Sequence, residues 1–195
     1  MNISLTKAAN LLLIKFPGLL TVLRLPVLSP PRYTVRAVDA DGDLEALAAL
    51  GTALSRGRPE VLRESFRREL TEQDPRRWFL LVAVEEGRKD RVLGFVRAMR
   101  QGPEQGWWIA GLGVRPLCRR RGIGETLMKE ALARLRVADV AEVRLVVNRA
   151  SRPAIELYHQ LGFVGEPRPA GAAERDNSLR MVLKLPGENP PARNP

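Results

Sequence analysis

Apolar and polar residues alternate along Tyr33-Thr34-Val35-Arg36-Ala37-Val38 with the period of two expected of a strand with one buried face. The alternation stops at Asp39-Ala40-Asp41-Gly42-Asp43, a turn rich in side chains that supply helix N-caps. Two helices are predicted next, over 44–54 and 59–70. Arg56-Gly57-Arg58 parts them, and Pro59 stands at a helix start, where its missing N–H costs nothing. Residues 78–84 are an unbroken apolar run and 91–99 a further strand, and the polar link Glu85-Glu86-Gly87-Arg88-Lys89-Asp90 predicts a hairpin between them. Gly102-Pro103-Glu104-Gln105-Gly106 turns the chain into another strand over 107–114, so an antiparallel meander of three strands is expected.

The period then changes. Ile123, Leu127, Met128, Ala131, Leu132 and Leu135 recur every 3.6 residues, while Glu125, Lys129, Glu130 and Arg134 take the opposite face of the predicted helix. A strand over 141–148 follows. Ser151 is expected to cap the next helix, whose Ala154, Ile155, Tyr158 and Leu161 share one side, and Gly162 stops it where a positive φ is needed. A last strand over 179–185 is expected to close the sheet. Strands and helices in this order specify an α/β domain over 31–185.

Two segments stand outside that pattern. Residues 11–28 hold twelve Leu, Ile, Val or Phe, but Lys15 and Arg24 leave uncharged runs of only 8–14 and 16–23. Both fall below the roughly 18 residues that a membrane span requires, no small-residue cleavage site follows, and Pro17-Gly18 breaks any single helix. Residues 1–30 are therefore expected to be an apolar arm packing on its own domain or on a second subunit, which leaves a homodimer open. A membrane-surface contact and a loose leader are the alternatives. Residues 186–195, rich in proline, read as a disordered tail.

Composition narrows the chemistry. The 195 residues, 45% apolar and 28% charged, amount to one domain with appendages at about 150 residues per domain. Such a domain buries a sufficient core without staples. Cys118 is the only cysteine and His159 the only histidine, which excludes an internal disulfide, a Cys/His zinc cage and any chemistry needing two histidines. No metal is expected, and a reducing cytoplasm fits. The net charge of +10 comes with 27 Arg against 5 Lys. It favours an anionic partner or reflects general residue usage, so the clustering of arginines is more informative than their sum.

They cluster in Gly111-Leu112-Gly113-Val114-Arg115-Pro116-Leu117-Cys118-Arg119-Arg120-Arg121-Gly122-Ile123-Gly124. A strand, a basic loop, paired glycines and a helix in that order build an anion site. The first N–H groups of a helix lack intrahelical partners, the dipole is positive there, and glycine lets a phosphate approach the backbone. No Gly-Lys-Ser/Thr is present for a Walker loop, and both Gly-x-Gly pairs lack the third glycine of a dinucleotide fingerprint. Gly111 and Gly113 inside an apolar strand mark a bulge or a close backbone approach, leaving backbone groups free to pair with a ligand.

At these residues the sequence resembles the GNAT superfamily of N-acetyltransferases, over roughly 33–185. The pyrophosphate signature Gln/Arg-x-x-Gly-x-Gly/Ala reads here as Arg119-Arg120-Arg121-Gly122-Ile123-Gly124, after a hydrophobic strand ending in Val114-x-Pro116. A second signature reads as Asn148, Ala154, Tyr158 and Gly162-Phe163. The resemblance implies a single mixed, mostly antiparallel sheet flanked by helices and splayed around acetyl-CoA. It places the cofactor between the strands ending at Val114 and Asn148, its pantetheine paired with the backbone of Leu112, Gly113 and Val114. Its pyrophosphate would lie on the N–H groups of Arg119, Arg120, Arg121, Gly122, Ile123, Gly124 and Glu125. The Asn148 side chain would touch the pantetheine arm.

Tyr158 is then the candidate general acid for the departing thiolate, with a core tyrosine as the plain alternative. His159 faces away from the Tyr158 stripe and reads as a surface residue. Cys118 beside the basic loop admits a lowered thiol pKa, but nothing local resembles a cysteine hydrolase. Strand 107–114 carries no carboxylate to act as base, leaving Glu72, Glu104 and Glu166 by loop position only. A lysine is neutral about once in 2,500 molecules at pH 7, whereas an α-amine near 7.7 often is, so the missing base leans toward an α-amine or a water relay. The expected acceptor is a protein N-terminal or small-molecule amine, with helices 44–70 and loop 165–177 on the acceptor side. A basic nucleic-acid-binding module built on Arg119, Arg120 and Arg121 lacks interleaved aromatics. A noncatalytic CoA-binding sensor shares every feature except turnover.

Overall fold

The computed structural model describes residues 31–55, 57–71, 74, 76–88, 91–102, 106–167 and 177–185. The expected arm and tail, Glu72, Glu104 and most of loop 165–177 lie outside the described residues. The strands are β1 (Tyr33–Ala37), β2 (Trp78–Glu85), β3 (Val92–Arg100), β4 (Trp107–Val114), β5 (Glu142–Asn148), β6 (Val164–Gly165) and β7 (Ser178–Lys184). They form one sheet in the order β1-β2-β3-β4-β5-β7-β6. Only β4 and β5 run parallel, because α3 (Ile123–Val137) supplies the long crossover that a parallel pair requires.

The expected antiparallel meander of three strands forms as β2-β3-β4, and β1 extends it by pairing antiparallel with β2 after two intervening helices. One expectation is corrected. The last strand does not close the sheet: β7 lies inside, with the two-residue β6 on its outer edge. A strand of two residues carries no periodicity, so its place is decided by the partner it finds.

Each sheet face has its own core. Helices α1 (Leu44–Ser55) and α2 (Pro59–Thr71) cover one face, where Leu47, Leu50 and Phe66 pack on Leu80, Val82 and Val84. On the other face α3 and α4 (Arg152–Gln160) pack on Leu81, Ala83, Val96, Val143 and Leu145. Strand β2 is therefore buried on both sides, which is why it reads as a continuous apolar run. The buried stripe of α3 is Ile123, Leu127, Met128, Ala131, Leu132 and Leu135, the residues its period indicates. Asp43 opens α1 through its backbone carbonyl, 2.8 Å from the Leu47 nitrogen. Its buried carboxylate turns back to Asp39 N–H and to Arg36, at 2.6 and 2.8 Å.

The close approach of β3 to β4 leaves no room for a side chain at Gly94. A Cβ there would lie 2.8 Å from the Gly113 carbonyl and 3.1 Å from Leu127. Gly94→Ala is expected to cost about 1–3 kcal/mol by pushing β3 from β4. Urea unfolding checks this, and a midpoint equal to the parent's would refute it.

Candidate active site

Strands β4 and β5 pair only at Trp107↔Val143, Trp108↔Arg144 and Ile109↔Leu145. Immediately beyond, the register against β3 slips: Ala98 faces Ile109 but Arg97 faces Gly111, so Ala110 is an extra residue in β4. This bulge bends β4 away while β5 continues along β7, where Val146↔Arg180 and Asn148↔Ser178 pair. From Ala110 to Val114 the edge of β4 toward β5 has no strand partner among the described residues. Gly113 turns its bare Cα toward α1, where a Cβ would run into Leu54 and lie 2.8 Å from the Phe95 ring.

The parted strands open into a cleft of about 760 Å³ on the α3 and α4 face. Its walls include Leu112, Val114, Arg119, Arg120, Gly122, Ile123, Gly124 and Glu125 of the expected binding residues. Gly122 is the N-cap of α3 at φ +78°, a conformation that favours glycine, and Arg120 takes φ +59° in the loop before it. The backbone N–H groups of Arg120 to Glu125 have no partner among the described residues. They converge where the α3 dipole is positive, beside exposed Arg119, Arg120 and Arg121. A Cβ on Gly124 would sit 3.5 to 3.9 Å from Val114, Leu157 and Leu112, at the cleft floor. The bare floor and the free donors together suit an apolar arm that ends in a phosphate. Tyr33 Oη, 3.0 Å from Thr126 Oγ1, ties β1 to the first turns of α3.

Gly113, Arg121, Asn148 and Tyr158 are not among the wall residues. Asn148 Oδ1 accepts from Ala150 N–H at 2.8 Å and from Asn177 Nδ2 at 3.3 Å, which leaves its own Nδ2 without a partner among the described residues. Ser151 occupies the N-cap of α4, yet its side chain makes no capping bond, contrary to expectation. Proline at the next positions removes a donor, and Asn148 takes over the turn. Ser151, Pro153 and Leu157 also line the cleft. With Ala154, which lines it too, Ser151 and Leu157 recur every three residues, a legible signal whose apolar members resemble core.

Tyr158 is held by the end of its helix. Gly162, at φ +92°, donates to the His159 carbonyl at 2.9 Å, and Phe163 N–H donates to the Tyr158 carbonyl at 2.9 Å. This is a Schellman motif, and its hydrophobic contact is the Tyr158–Phe163 ring pair with centroids 5.8 Å apart. Burial pushes the Tyr158 hydroxyl up to about 12. That lies some 3.5 units above a free thiol near 8.5, so full proton transfer to a thiolate is uphill by about 5 kcal/mol. The phenol is better suited to donating a hydrogen bond to the leaving sulfur than to giving up its proton. Because the folded state holds this proton more tightly than the unfolded one, the associated stability is present below about pH 10 and lost as pH rises toward 12. The loss is on the order of a few kcal/mol, and Tyr158→Phe should remove that part of the alkaline unfolding profile.

Of the other candidates among the described residues, only Cys118 lines the cleft. Glu166 holds Arg144 Nε at 3.0 Å and lies 4.0 Å from Arg180. Cys118 is buried, while His159 is exposed with Nδ1 3.1 Å from the Phe163 carbonyl. Among the described residues no group of His, Cys, Asp and Glu side chains is placed to hold a metal.

A profile described as "Acetyltransferase (GNAT) family" matches residues 47–163. A mycothiol acetyltransferase of Segniliparus rotundus is 30% identical over 143 residues, 69% of this chain and 52% of that protein. The chain thus spans about half the length of the curated relative it matches. The structure of PaiA N-acetyltransferase from Thermoplasma acidophilum with coenzyme A aligns with a TM-score of 0.62 at 19% identity, over 79% of this chain and 99% of that one. That of Arabidopsis thaliana NAA60 with a bisubstrate analogue aligns with a TM-score of 0.61 at 23% identity, over 80% and 99%. At these identities both speak for the fold alone.

Proposed function

The chain belongs to the GNAT acetyltransferase family, and on that premise we propose that it transfers the acetyl group of acetyl-CoA to a primary amine, a protein N-terminus or a small molecule, by direct attack in a ternary complex. Acetyl-CoA supplies the activated acyl group when bound. The parting of β4 from β5 beside unpartnered N–H groups at the start of α3 carries this reading, because one cleft then offers both a strand edge and an anion site.

In this reading the backbone of Leu112, Gly113 and Val114 pairs with the pantetheine. The N–H groups from Arg120 to Glu125 hold the pyrophosphate, Arg119 N–H being spent on the Pro116 carbonyl at 3.4 Å and its Nε on the Val114 carbonyl at 3.2 Å. The positive charge of Arg119, Arg120 and Arg121 adds attraction that weakens with salt. Asn148 offers its free Nδ2 to the arm. Tyr158 donates a hydrogen bond toward the leaving sulfur, and its fixed ring keeps water from that side.

Acetyl-CoA should raise the melting temperature and oligonucleotides should not, and free thiol should appear on adding a panel of amines and peptides. Stabilisation by oligonucleotides alone would favour the nucleic-acid module. Stabilisation by acetyl-CoA with no thiol released by any amine would favour the sensor.

A further inference from the structure

We infer that Glu69 and Arg97 form an acceptor subsite that reads an α-amine together with its neighbouring carbonyl, the unit presented by an amino acid or a peptide N-terminus. This rests on the acetyltransferase reading above and names the residues and substrate class it leaves open.

Glu69, in the last turn of α2, meets Arg97 of β3 through one oxygen, with Oε1 2.5 Å from Nη1. Arg97 Nη2 reaches the Ala110 carbonyl of the bulge at 3.4 Å. Two atoms of the pair remain unspent: Glu69 Oε2 and Arg97 Nε are both buried and without a hydrogen-bond partner. Native interiors rarely leave such groups unpaired, so each calls for a partner, and a ligand with a donor and an acceptor side by side supplies both at once. Nothing in α2 itself calls for a carboxylate there, since the negative end of the helix dipole disfavours it. About a quarter of each side chain is exposed, but on atoms other than Oε2 and Nε, so a ligand meets those two only when the side chains turn toward it.

Its position matches the chemistry. Arg97 stands opposite Gly111 in the ladder, and a Cβ on Gly111 would point toward it, 3.9 Å from Nε. The pair therefore lies on the α1 and α2 face of the sheet, directly behind the bulge, while the cleft opens on the other face. With the pyrophosphate at the start of α3 and the arm running back along Val114 to Leu112, the reactive end of the cofactor comes to rest at that bulge. An acceptor meets it through the gap where β4 leaves β5.

A carboxylate oxygen lacking a donor beside a guanidinium N–H lacking an acceptor complements an ammonium next to a carbonyl. An α-amine with its own carbonyl satisfies both. A lysine ε-amine or a simple alkylamine satisfies only the carboxylate and leaves Arg97 Nε unpaired, and sites built to hydrogen-bond a group discriminate against analogues lacking it.

The test compares alanylalanine amide with Nα-acetyl-lysine amide and propylamine at saturating acetyl-CoA, with acetyl-CoA affinity measured by calorimetry. The parent should favour the α-amine by about tenfold or more in kcat/KM. Glu69→Gln should lower kcat/KM for the α-amine by about 10²-fold, chiefly through KM, with acetyl-CoA affinity unchanged. Arg97→Lys should erase the preference. Should Glu69→Gln not fold, Glu69→Asp keeps the charge facing Arg97 but withdraws the oxygen by one methylene, and the same rise in KM is expected. A parent that prefers the ε-amine, or a folded Glu69 variant with parent-like KM, overturns the subsite while leaving the transferase reading intact. A parent that binds acetyl-CoA yet acetylates none of the three overturns the subsite, and failure on the whole panel of amines and peptides overturns the transferase reading as well.

Discussion

Tyr158→Phe is expected to lower kcat by about 10²- to 10³-fold at saturating acetyl-CoA, with little change in cofactor affinity. Phenylalanine keeps the ring that packs against Phe163 and the Schellman turn that fixes it, so the substitution removes one hydroxyl and nothing else. That hydroxyl has no hydrogen-bond partner among the described residues, so its loss leaves no orphaned protein group behind. The whole effect is then available to be read in the chemical step. A donor aimed at developing charge in a dry site is stronger than one in water, which sets the size of the expected loss. Since the phenol stays protonated up to about pH 12, its contribution should be flat with pH between 6 and 9. Initial rates across that range, beside a cofactor titration and a melting curve, decide the matter. Parent-like kcat throughout would return Tyr158 to the core and leave water as the proton donor.

Gly124→Leu is expected to weaken acetyl-CoA binding by about 10²-fold or more, equivalent to about 2.7 kcal/mol. A Cβ at this position makes only ordinary contacts with Val114, Leu157 and Leu112, so the variant should fold. Beyond Cβ, the branches of leucine grow into the floor of the cleft, where the arm has to pass between β4 and α4. They also hold a phosphate away from the first N–H groups of α3, whose bonds to an anion are the strong, charge-assisted kind. Gly124→Ala, which adds the Cβ alone, should bind nearly as the parent does. Calorimetry on both variants tests the placement. A folded Gly124→Leu protein that binds acetyl-CoA as tightly as the parent would move the cofactor out of this cleft.

Features made by neighbouring residues are legible in the amino-acid order itself. The 3.6-residue stripe of α3, the stop at Gly162 and the left-handed N-cap at Gly122 each depend on a short stretch of backbone and the side chains on it. So does the hairpin between β2 and β3, whose strands are joined by a polar turn. Local sterics and periodicity determine such elements, so contiguous sequence contains the information.

Features that depend on partners distant along the chain are not legible in this way. The parting of β4 from β5 follows from three residue pairs over 107–109 and 143–145 and from one extra residue, Ala110. No periodicity announces where a ladder ends, because pairing is decided by the neighbouring strand as much as by the strand itself. The same holds for β7, threaded between β5 and a two-residue β6. Side-chain roles shift for a related reason: Glu166 is claimed by Arg144, Ser151 loses its capping role to Asn148, and burial raises the Tyr158 phenol away from a thiol's range. Glu69 and Arg97, 28 residues apart, carry no signal of their pairing in the sequence. The chain by itself determined the elements, the family signatures and the free N–H groups at the start of α3. Only the tertiary structure decided which edge stays open, which groups stay unpaired and how deeply each is buried, because those depend on what packs against them.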